Sequence, residues 1–159
     1  MTKIKYVNGN LLDAPEFIIA HGCNAQGVMN RGVARAIRKK WPTAYNAYCF
    51  HYEMTQTLQL GEVIWCKTDG KLIANCITQE KYGCAGAQYT NYLAVRKCMQ
   101  KINKIAIRDL GVAMPLIGAG LGGGDWDIIA QIIEEEIIND VPTVYILPSE
   151  WDTFKNRSI

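Results

Sequence analysis

The chain has 159 residues, so we expect residues 1–159 to form a single domain around one core. Hydrophobic residues make up 49% and charged residues 20%, which excludes disordered, collagen-like and highly charged tail proteins. The net charge of +2 is far below the basic footprint of a protein that binds duplex nucleic acid. We therefore expect a monomer that binds a small ligand, which can be anionic, and no nucleic acid partner.

The first twenty residues do not resemble a signal peptide, because Asn8, Gly9, Asp13 and Pro15 interrupt their apolar stretches. No later segment approaches the roughly 18 apolar residues of a membrane span, so we expect a cytoplasmic protein without a membrane partner. In that compartment the six cysteines are expected to be packed thiols. Because there is no CxxC pair and only two histidines, we expect neither a metal site nor a cofactor.

The first half of the chain predicts short strands and two helices. Strands are expected at residues 4–7 and 17–20, the second ending at His21. Apolar residues at helical spacing predict a helix over 33–40 that Pro42 stops, and Thr43 is expected to cap a second helix. Residues 62–67 and 71–77 flank the turn residues Asp69 and Gly70, which predicts a β-hairpin.

The second half predicts a helix from about residue 92, a strand over 112–117, a helix from residue 128 and a last strand over 143–147 that ends at Pro148. Asp125 and Asp127 precede the later helix, where acidic residues favour the helix dipole. Strands that alternate with helices indicate an α/β layer structure with a mostly parallel sheet, which the hairpin makes mixed.

A glycine-rich loop over residues 118–123, GAGLGG, follows a predicted strand and precedes a helix. It matches GxGxxG, but a dinucleotide-binding fold would need several further strands after it, and only 36 residues remain. Glycines still let backbone N–H groups approach an anion, and the helix that follows adds its dipole. We expect this loop to bind phosphate; the alternative is a plain connection between strand and helix.

An earlier loop, HGCNAQGVMNRG over residues 21–32, has the same order of strand, glycine-bearing turn and helix. Two such loops can face each other and hold a diphosphate from both sides. Asn24 is a candidate to bind sugar hydroxyls, because its amide donates and accepts without adding charge. The alternative is that Asn24 hydrogen-bonds to its own turn.

Together these segments resemble a macro domain, a three-layer α/β/α module with a mixed central sheet that binds ADP-ribose. The resemblance covers nearly the whole chain and rests on four motifs: GNLL at 9–12, HGCN with the run to GVARAI at 21–37, TNYL at 90–93 and MPLIGAGLGGGDW at 114–126. It implies that the protein's partner is ADP-ribose or ADP-ribose 1''-phosphate.

The resemblance also implies the residues that bind this ligand. Asn10 stands where many macro domains have an aspartate that accepts from adenine, and Ile146 or Leu147 lies where adenine stacks. Asn24 matches the asparagine of the distal ribose. The backbone donors of the two phosphate loops match Gly32 and Val33, and Gly118, Ala119, Gly120, Leu121 and Gly122.

The start of the chain, the His21–Asn24 spacing and the pair Tyr82–Gly83 are most similar to the ADP-ribose 1''-phosphate phosphatase branch. The acid that another branch carries after its Gly-Val is not matched, since Ala34 stands there. A branch with a lysine and a loop aspartate has Gln79 and Gly122 at those places, although Lys81 and Asp125 lie close in sequence.

We therefore expect a phosphatase that acts without a metal. Its catalytic residues would be His21, as general acid or base, and Asp125. Two alternatives stay open. One is a non-catalytic ADP-ribose reader, and the other is a hydrolase that removes ADP-ribose from proteins through Lys81 and Asp125.

Overall fold

The structure is a computed structural model that describes residues 3–82, 87–107 and 109–157. Its strands are β1 (Lys5–Asn8), β2 (Ile18–Asn24), β3 (Val63–Thr68), β4 (Lys71–Gln79), β5 (Val112–Met114) and β6 (Thr143–Ile146). Its α-helices are α1 (Gly32–Lys40), α2 (Pro42–Thr55), α3 (Tyr92–Ile105), α4 (Trp126–Glu136) and α5 (Pro148–Lys155). A short 3₁₀ turn, Leu11–Asp13, follows β1.

The strands form one sheet in the order β1-β6-β5-β2-β4-β3. Every neighbouring pair is parallel except β3 and β4, which are antiparallel. The turn between β3 and β4 has positive φ at Asp69 and Gly70, as a tight hairpin requires. The predicted mixed α/β sheet is thus confirmed.

Helices cover both faces of this sheet. On one face Ile37, Trp41 and Ala44 of the α1–α2 region pack against Ile19 of β2 and Ile73 of β4. On the other face α3 and α4 pack against alternate strand residues; these buried residues are Ile18, Ala20, Val95, Met99, Ile129 and Ile133. Because successive strand residues point to opposite faces, β2 contributes to both cores. The result is the predicted three-layer arrangement.

Several predicted boundaries are wrong for local reasons. The helix expected to be capped by Thr43 is capped two residues earlier, by Trp41, because Pro42 occupies its first turn. The strand expected to reach residue 117 ends at Met114, before Pro115, which has no N–H to donate. Helix α4 begins at Trp126, and Ile128 is 43% exposed rather than packed. Pro148 follows β6 and also begins α5, a helix that is absent from the elements predicted above.

Within the described ranges, no helix is long and apolar enough to cross a bilayer.

Candidate functional site

The site lies where two neighbouring strands end. β2 and β5 are adjacent and parallel, so the loops that follow them leave the same edge of the sheet. The chain continues from β2 to α1 on one face, and from β5 to α4 on the other. In open α/β sheets, ligands bind in the crevice that such a divergence opens. We call residues 24–34 the early loop and residues 115–125 the late loop.

The two loops face each other. Gly32 begins α1 with φ of +58°, a conformation that favours glycine. A Cβ atom built on Gly32 would lie 3.5 Å from Cδ1 of Leu121 in the late loop. Val33 and Leu121 are 37% and 40% exposed, so apolar side chains from both loops border the opening. The structure therefore brings together the two loops that the sequence predicts to form one site.

Both loops present unoccupied backbone donors. Gly32, Val33 and Ala34 form the first turn of α1, whose N–H groups have no partner within the helix. In the late loop the amides of Gly118, Gly120, Leu121 and Gly122 donate to no group in the described part of the chain. The amide of Ala119 is different from its neighbours, because it donates to the carbonyl of Leu116 at 3.1 Å. Contrary to the prediction, it is not available to a ligand in this conformation. Amides of this kind, together with the positive end of a helix dipole, bind phosphate groups.

Thr90 and its neighbour Tyr89 form hydrogen bonds to the late loop. The hydroxyl of Thr90, a residue that is 3% exposed, donates to the carbonyl of Gly118 at 2.6 Å. The amides of Tyr89 and Thr90 donate to the carbonyl of Gly122 at 2.7 and 3.0 Å. These bonds turn loop carbonyls toward residues 89–90 and leave loop amides free. The TNYL motif alone indicates no role for the Thr90 hydroxyl.

Asn24 organises the early loop. Its Oδ1 accepts from the amide of Gln26 at 2.9 Å, and its Nδ2 donates to the carbonyl of Val28 at 2.8 Å. The buried hydroxyl of Tyr48 lies 2.8 Å from Oδ1 of Asn24 and accepts from the amides of Gly27 and Val28 at 3.1 and 3.2 Å. Asn24 thus makes the turn contacts given as the alternative, and contact with the distal ribose stays a prediction.

His21 does not reach the site. It has no exposed surface, and its Nε2 lies 2.6 Å from Oδ1 of Asn75 on β4, whose amide nitrogen donates to the carbonyl of Ala44 in α2. Burial lowers the pKa of His21 to about 4, so the imidazole is neutral at pH 7. This position does not support the predicted role of general acid or base, because no water-borne ligand can contact the ring.

Asp125, the second predicted catalytic residue, is exposed at the start of α4. Its Oδ1 accepts from the amide of Asp127 at 2.9 Å, which caps the helix. Its backbone amide donates to the hydroxyl of Tyr92 at 2.9 Å. The other carboxylate oxygen has no partner within the described ranges, so Asp125 caps α4 and still presents an acceptor to solvent.

The remaining predicted positions lie around the same edge of the sheet. Asn10 is exposed after β1, and its Oδ1 accepts from the amide of Leu12 at 2.9 Å, which occupies the oxygen expected to face adenine. Ile146 is buried, whereas Leu147 is 42% exposed and is the one of the pair available for stacking. Tyr82 is exposed; its predicted partner Gly83 lies outside the described residues.

Gln79 and Gly122, at the places where one branch carries its lysine and aspartate, are neighbours. A Cβ on Gly122 would lie 3.0 Å from Oε1 of Gln79 and would collide with Oγ1 of Thr90. The late loop therefore has no room for an aspartate at this position without rearrangement. Among the described residues, no ion pair or hydrogen bond joins Lys81 to Asp125.

Burial raises the pKa of the Cys23 thiol, which keeps it protonated and unreactive. Across residues 3–82, 87–107 and 109–157, no group of three or more His, Cys, Asp or Glu side chains is placed to hold a metal ion.

The family model for the macro domain matches residues 20–133, which includes both loops. The chain belongs to the macro domain family. It is 32% identical over 140 residues to an uncharacterised 17.5 kDa protein of phage T4, covering 82% of this chain and 88% of that one. The match to the ADP-ribose 1''-phosphate phosphatase of Candida albicans is 24% identical and covers 83% and 92%.

Other relatives of this macro domain carry a different activity in their names. The DNA ADP-ribosyl glycohydrolase of Thermus aquaticus is 28% identical over 138 residues, which cover 84% of this chain but 38% of that protein. The macrodomain of Thermus aquaticus DarG has a TM-score of 0.73 at 25% identity, covering 89% and 96%. A Bacteroides thetaiotaomicron protein of unknown function has a TM-score of 0.79 at 31% identity, covering 91% and 98%.

Proposed function

We propose that this macro domain binds ADP-ribose between the early and late loops and releases phosphate from ADP-ribose 1''-phosphate. The observation that carries the proposal is the approach of Gly32 to Leu121, with unoccupied amides on both sides. A diphosphate presents acceptors on both of its faces. Two opposed sets of amides suit it better than the single set that one phosphate requires.

Family membership supports ADP-ribose binding and hydrolysis as the general activity. The phosphatase assignment is supported by the match to the Candida albicans enzyme, which extends over 92% of that protein. It is also supported by Gln79 and Gly122, which occupy the positions where another branch has a lysine and an aspartate.

The reaction needs a water oxygen to form a bond to phosphorus while the bond from phosphorus to the oxygen on C1'' breaks. Amides near the reacting phosphoryl group would stabilise the charge on its oxygens. In this proposal the free carboxylate oxygen of Asp125 orients the water or takes its proton, and the departing sugar oxygen is protonated from solvent. His21 takes no direct part, because it is buried on the α2 side of the sheet.

A second candidate function is removal of ADP-ribose from a nucleic acid, supported by the match to the Thermus aquaticus glycohydrolase over 84% of this chain. That reaction breaks the bond between C1'' and the modified group rather than a bond to phosphorus. The same two loops would hold the ADP-ribose in either reaction.

A comparison of two substrates tests the proposal. The wild-type protein is given ADP-ribose 1''-phosphate, with phosphate release as readout, and an ADP-ribosylated oligonucleotide, with release of ADP-ribose as readout. We expect phosphate release and ADP-ribose affinity measurable by calorimetry. Turnover of the oligonucleotide alone would transfer the assignment to the second candidate. ADP-ribose affinity without turnover of either substrate would indicate a non-catalytic ADP-ribose reader. The absence of ADP-ribose affinity would overturn the site itself.

A further inference from the structure

The net charge of +2 conceals a strong separation of charge along the chain. Between Glu16 and Glu53 there is no aspartate or glutamate, yet this stretch contains five basic residues; they are Arg31, Arg35, Arg38, Lys39 and Lys40. All five lie within ten positions, at the start of α1 or inside it. The rest of the chain has more acidic than basic residues. The excess of positive over negative charge therefore lies on α1 and its N-cap residue.

Three of these residues form a row on α1. Arg35 and Arg38 lie three positions apart in α1, and Arg31, the N-cap residue with an extended backbone, lies four positions before Arg35. Successive members are therefore about one helical turn, roughly 5 to 6 Å, apart along one side of the helix and its N-terminus. We call them the arginine row. Arg31 and Arg35 are exposed, and their guanidinium groups make no hydrogen bond, ion pair or ring contact with the described residues. Arg38 is fixed instead, since it lies 3.8 Å over the ring of Tyr45 and donates to Oδ1 of Asn30 at 3.1 Å.

The arginine row is continuous with the proposed ligand site. Arg31 immediately precedes Gly32, and it caps α1 without a side-chain hydrogen bond to the helix. The row therefore begins beside the unoccupied amides of the early loop and runs away from them along the helix. A ligand held by those amides would have a positively charged path leading outward.

We propose that the arginine row binds the phosphodiester backbone of a nucleic acid strand that enters the site from the α1 side. Guanidinium groups form paired hydrogen bonds with phosphate oxygens, and a row one turn apart suits a chain of successive phosphates. Arg31 and Arg35 form no ion pair with any described residue, so their guanidinium groups are free to make such contacts. This inference rests on the proposed function only for the position of the strand relative to ADP-ribose. The arginine row itself does not depend on that function.

Fluorescence anisotropy with labelled single-stranded 20-nucleotide DNA and RNA tests this inference. The test variant is Arg31→Gln with Arg35→Gln. The matched control is Lys5→Gln with Lys104→Gln, which removes two exposed cations of β1 and α3 that form no ion pair with any described residue. We expect the test variant to lose at least tenfold in oligonucleotide affinity at about 50 mM salt, and the control to change less than twofold. The salt dependence, as a log–log slope, should weaken by about 1.4 for two lost phosphate contacts.

Other outcomes overturn the proposal. These are no oligonucleotide binding by the wild type, equal losses in the two double variants, or displacement of the oligonucleotide by poly-glutamate of equal charge, which would assign the row to an acidic polypeptide. ADP-ribose affinity is measured for each protein by calorimetry. If ADP-ribose does not bind but oligonucleotide binding depends on Arg31 and Arg35, the arginine row stands and the proposed function fails.

Discussion

The hydroxyl of Thr90 donates to the carbonyl of Gly118 at 2.6 Å, and this bond joins the segment before α3 to the loop before α4. Thr90 is 3% exposed, so the bond is shielded from water. A buried hydrogen bond that fixes the Gly118 carbonyl also fixes the amide of Ala119, since the two belong to one planar peptide unit, and it restrains the loop that carries the free amides of Gly118 and Gly120. Thr90 is thus placed to control which late-loop amides face a ligand.

Replacing Thr90 with valine tests this role, because valine keeps the shape and removes the hydroxyl. We expect Thr90→Val to lower ADP-ribose affinity by about tenfold. The loss of folding stability should be only about 0.5–1.5 kcal/mol, because the Gly118 carbonyl still accepts from the amide of Gly124 at 2.8 Å. Thr90→Ser keeps the donor and should restore most of the affinity. Calorimetry gives the affinity and denaturant unfolding the stability. Equal affinity in the valine and serine variants would show that the hydroxyl does not position the loop.

Gly120 gives a test of the late loop that does not disturb its fold. A Cβ at this position would meet no atom within 4 Å, whereas one on Gly118 would lie 2.9 Å from Thr90. We expect Gly120→Glu to reduce ADP-ribose affinity at least tenfold, because it places a negative charge beside the amides proposed to bind the diphosphate. The control Gly120→Lys has similar bulk and opposite charge, and it should retain affinity. Comparable affinity in both variants would contradict an anion site here.

Asp125 can be tested for catalysis apart from its capping role. Asparagine also caps helices well, so Asp125→Asn should keep the bond to the amide of Asp127 and leave the melting temperature within about 2 °C. If the carboxylate acts on the attacking water, kcat for phosphate release should fall at least 100-fold with ADP-ribose affinity nearly unchanged. A variant with wild-type kcat would remove Asp125 from the mechanism.

His21 predicts a pH dependence of stability. Its pKa is about 4 in the folded protein, because burial disfavours the charged ring, against 6.5 for an exposed imidazole. Between these values the unfolded chain binds a proton that the folded protein does not. The contribution of His21 is therefore complete above pH 6.5 and is lost as the pH falls toward 4, to a total of about 3 kcal/mol.

The measurement is the free energy of unfolding from pH 4 to 7.5 for the wild type and for His21→Gln, which cannot titrate. We expect the difference between the two proteins to shrink as the pH falls, while their other groups titrate alike. Parallel stability curves would mean that His21 is not buried in its neutral form. ADP-ribose affinity of the variant should stay within threefold, since the ring does not border the loops.

The sequence predicts most of the fold because its signals are local. The hairpin turn at Asp69 and Gly70 and the helix stop before Pro42 are set by backbone chemistry within a few residues. Helix α5 could not be predicted, because a proline such as Pro148 is equally typical of the end of a strand and of the first residue of a helix. Nothing in the local pattern distinguishes these two roles.

Only part of the candidate site can be predicted from the sequence. The facing glycine loops follow from strand order and glycine spacing, and the 3.5 Å between a Cβ placed on Gly32 and Cδ1 of Leu121 agrees with this. The burial of His21 could not be predicted, because it depends on Asn75 on β4 and on Ala44 of α2, far away in sequence. The role of Thr90 depends in the same way on a carbonyl 28 residues later. Side-chain partners across the sheet are a property of the fold rather than of a motif.

The divergence of the chain after β2 and β5 has a mechanical consequence. The early loop leads into α1 on one face of the sheet and the late loop into α4 on the other. A molecule that contacts both loops would therefore tie the two outer layers together at one edge. Hydrogen exchange should slow on both sides of the sheet when such a molecule binds, although no part of it would touch most of the protected amides.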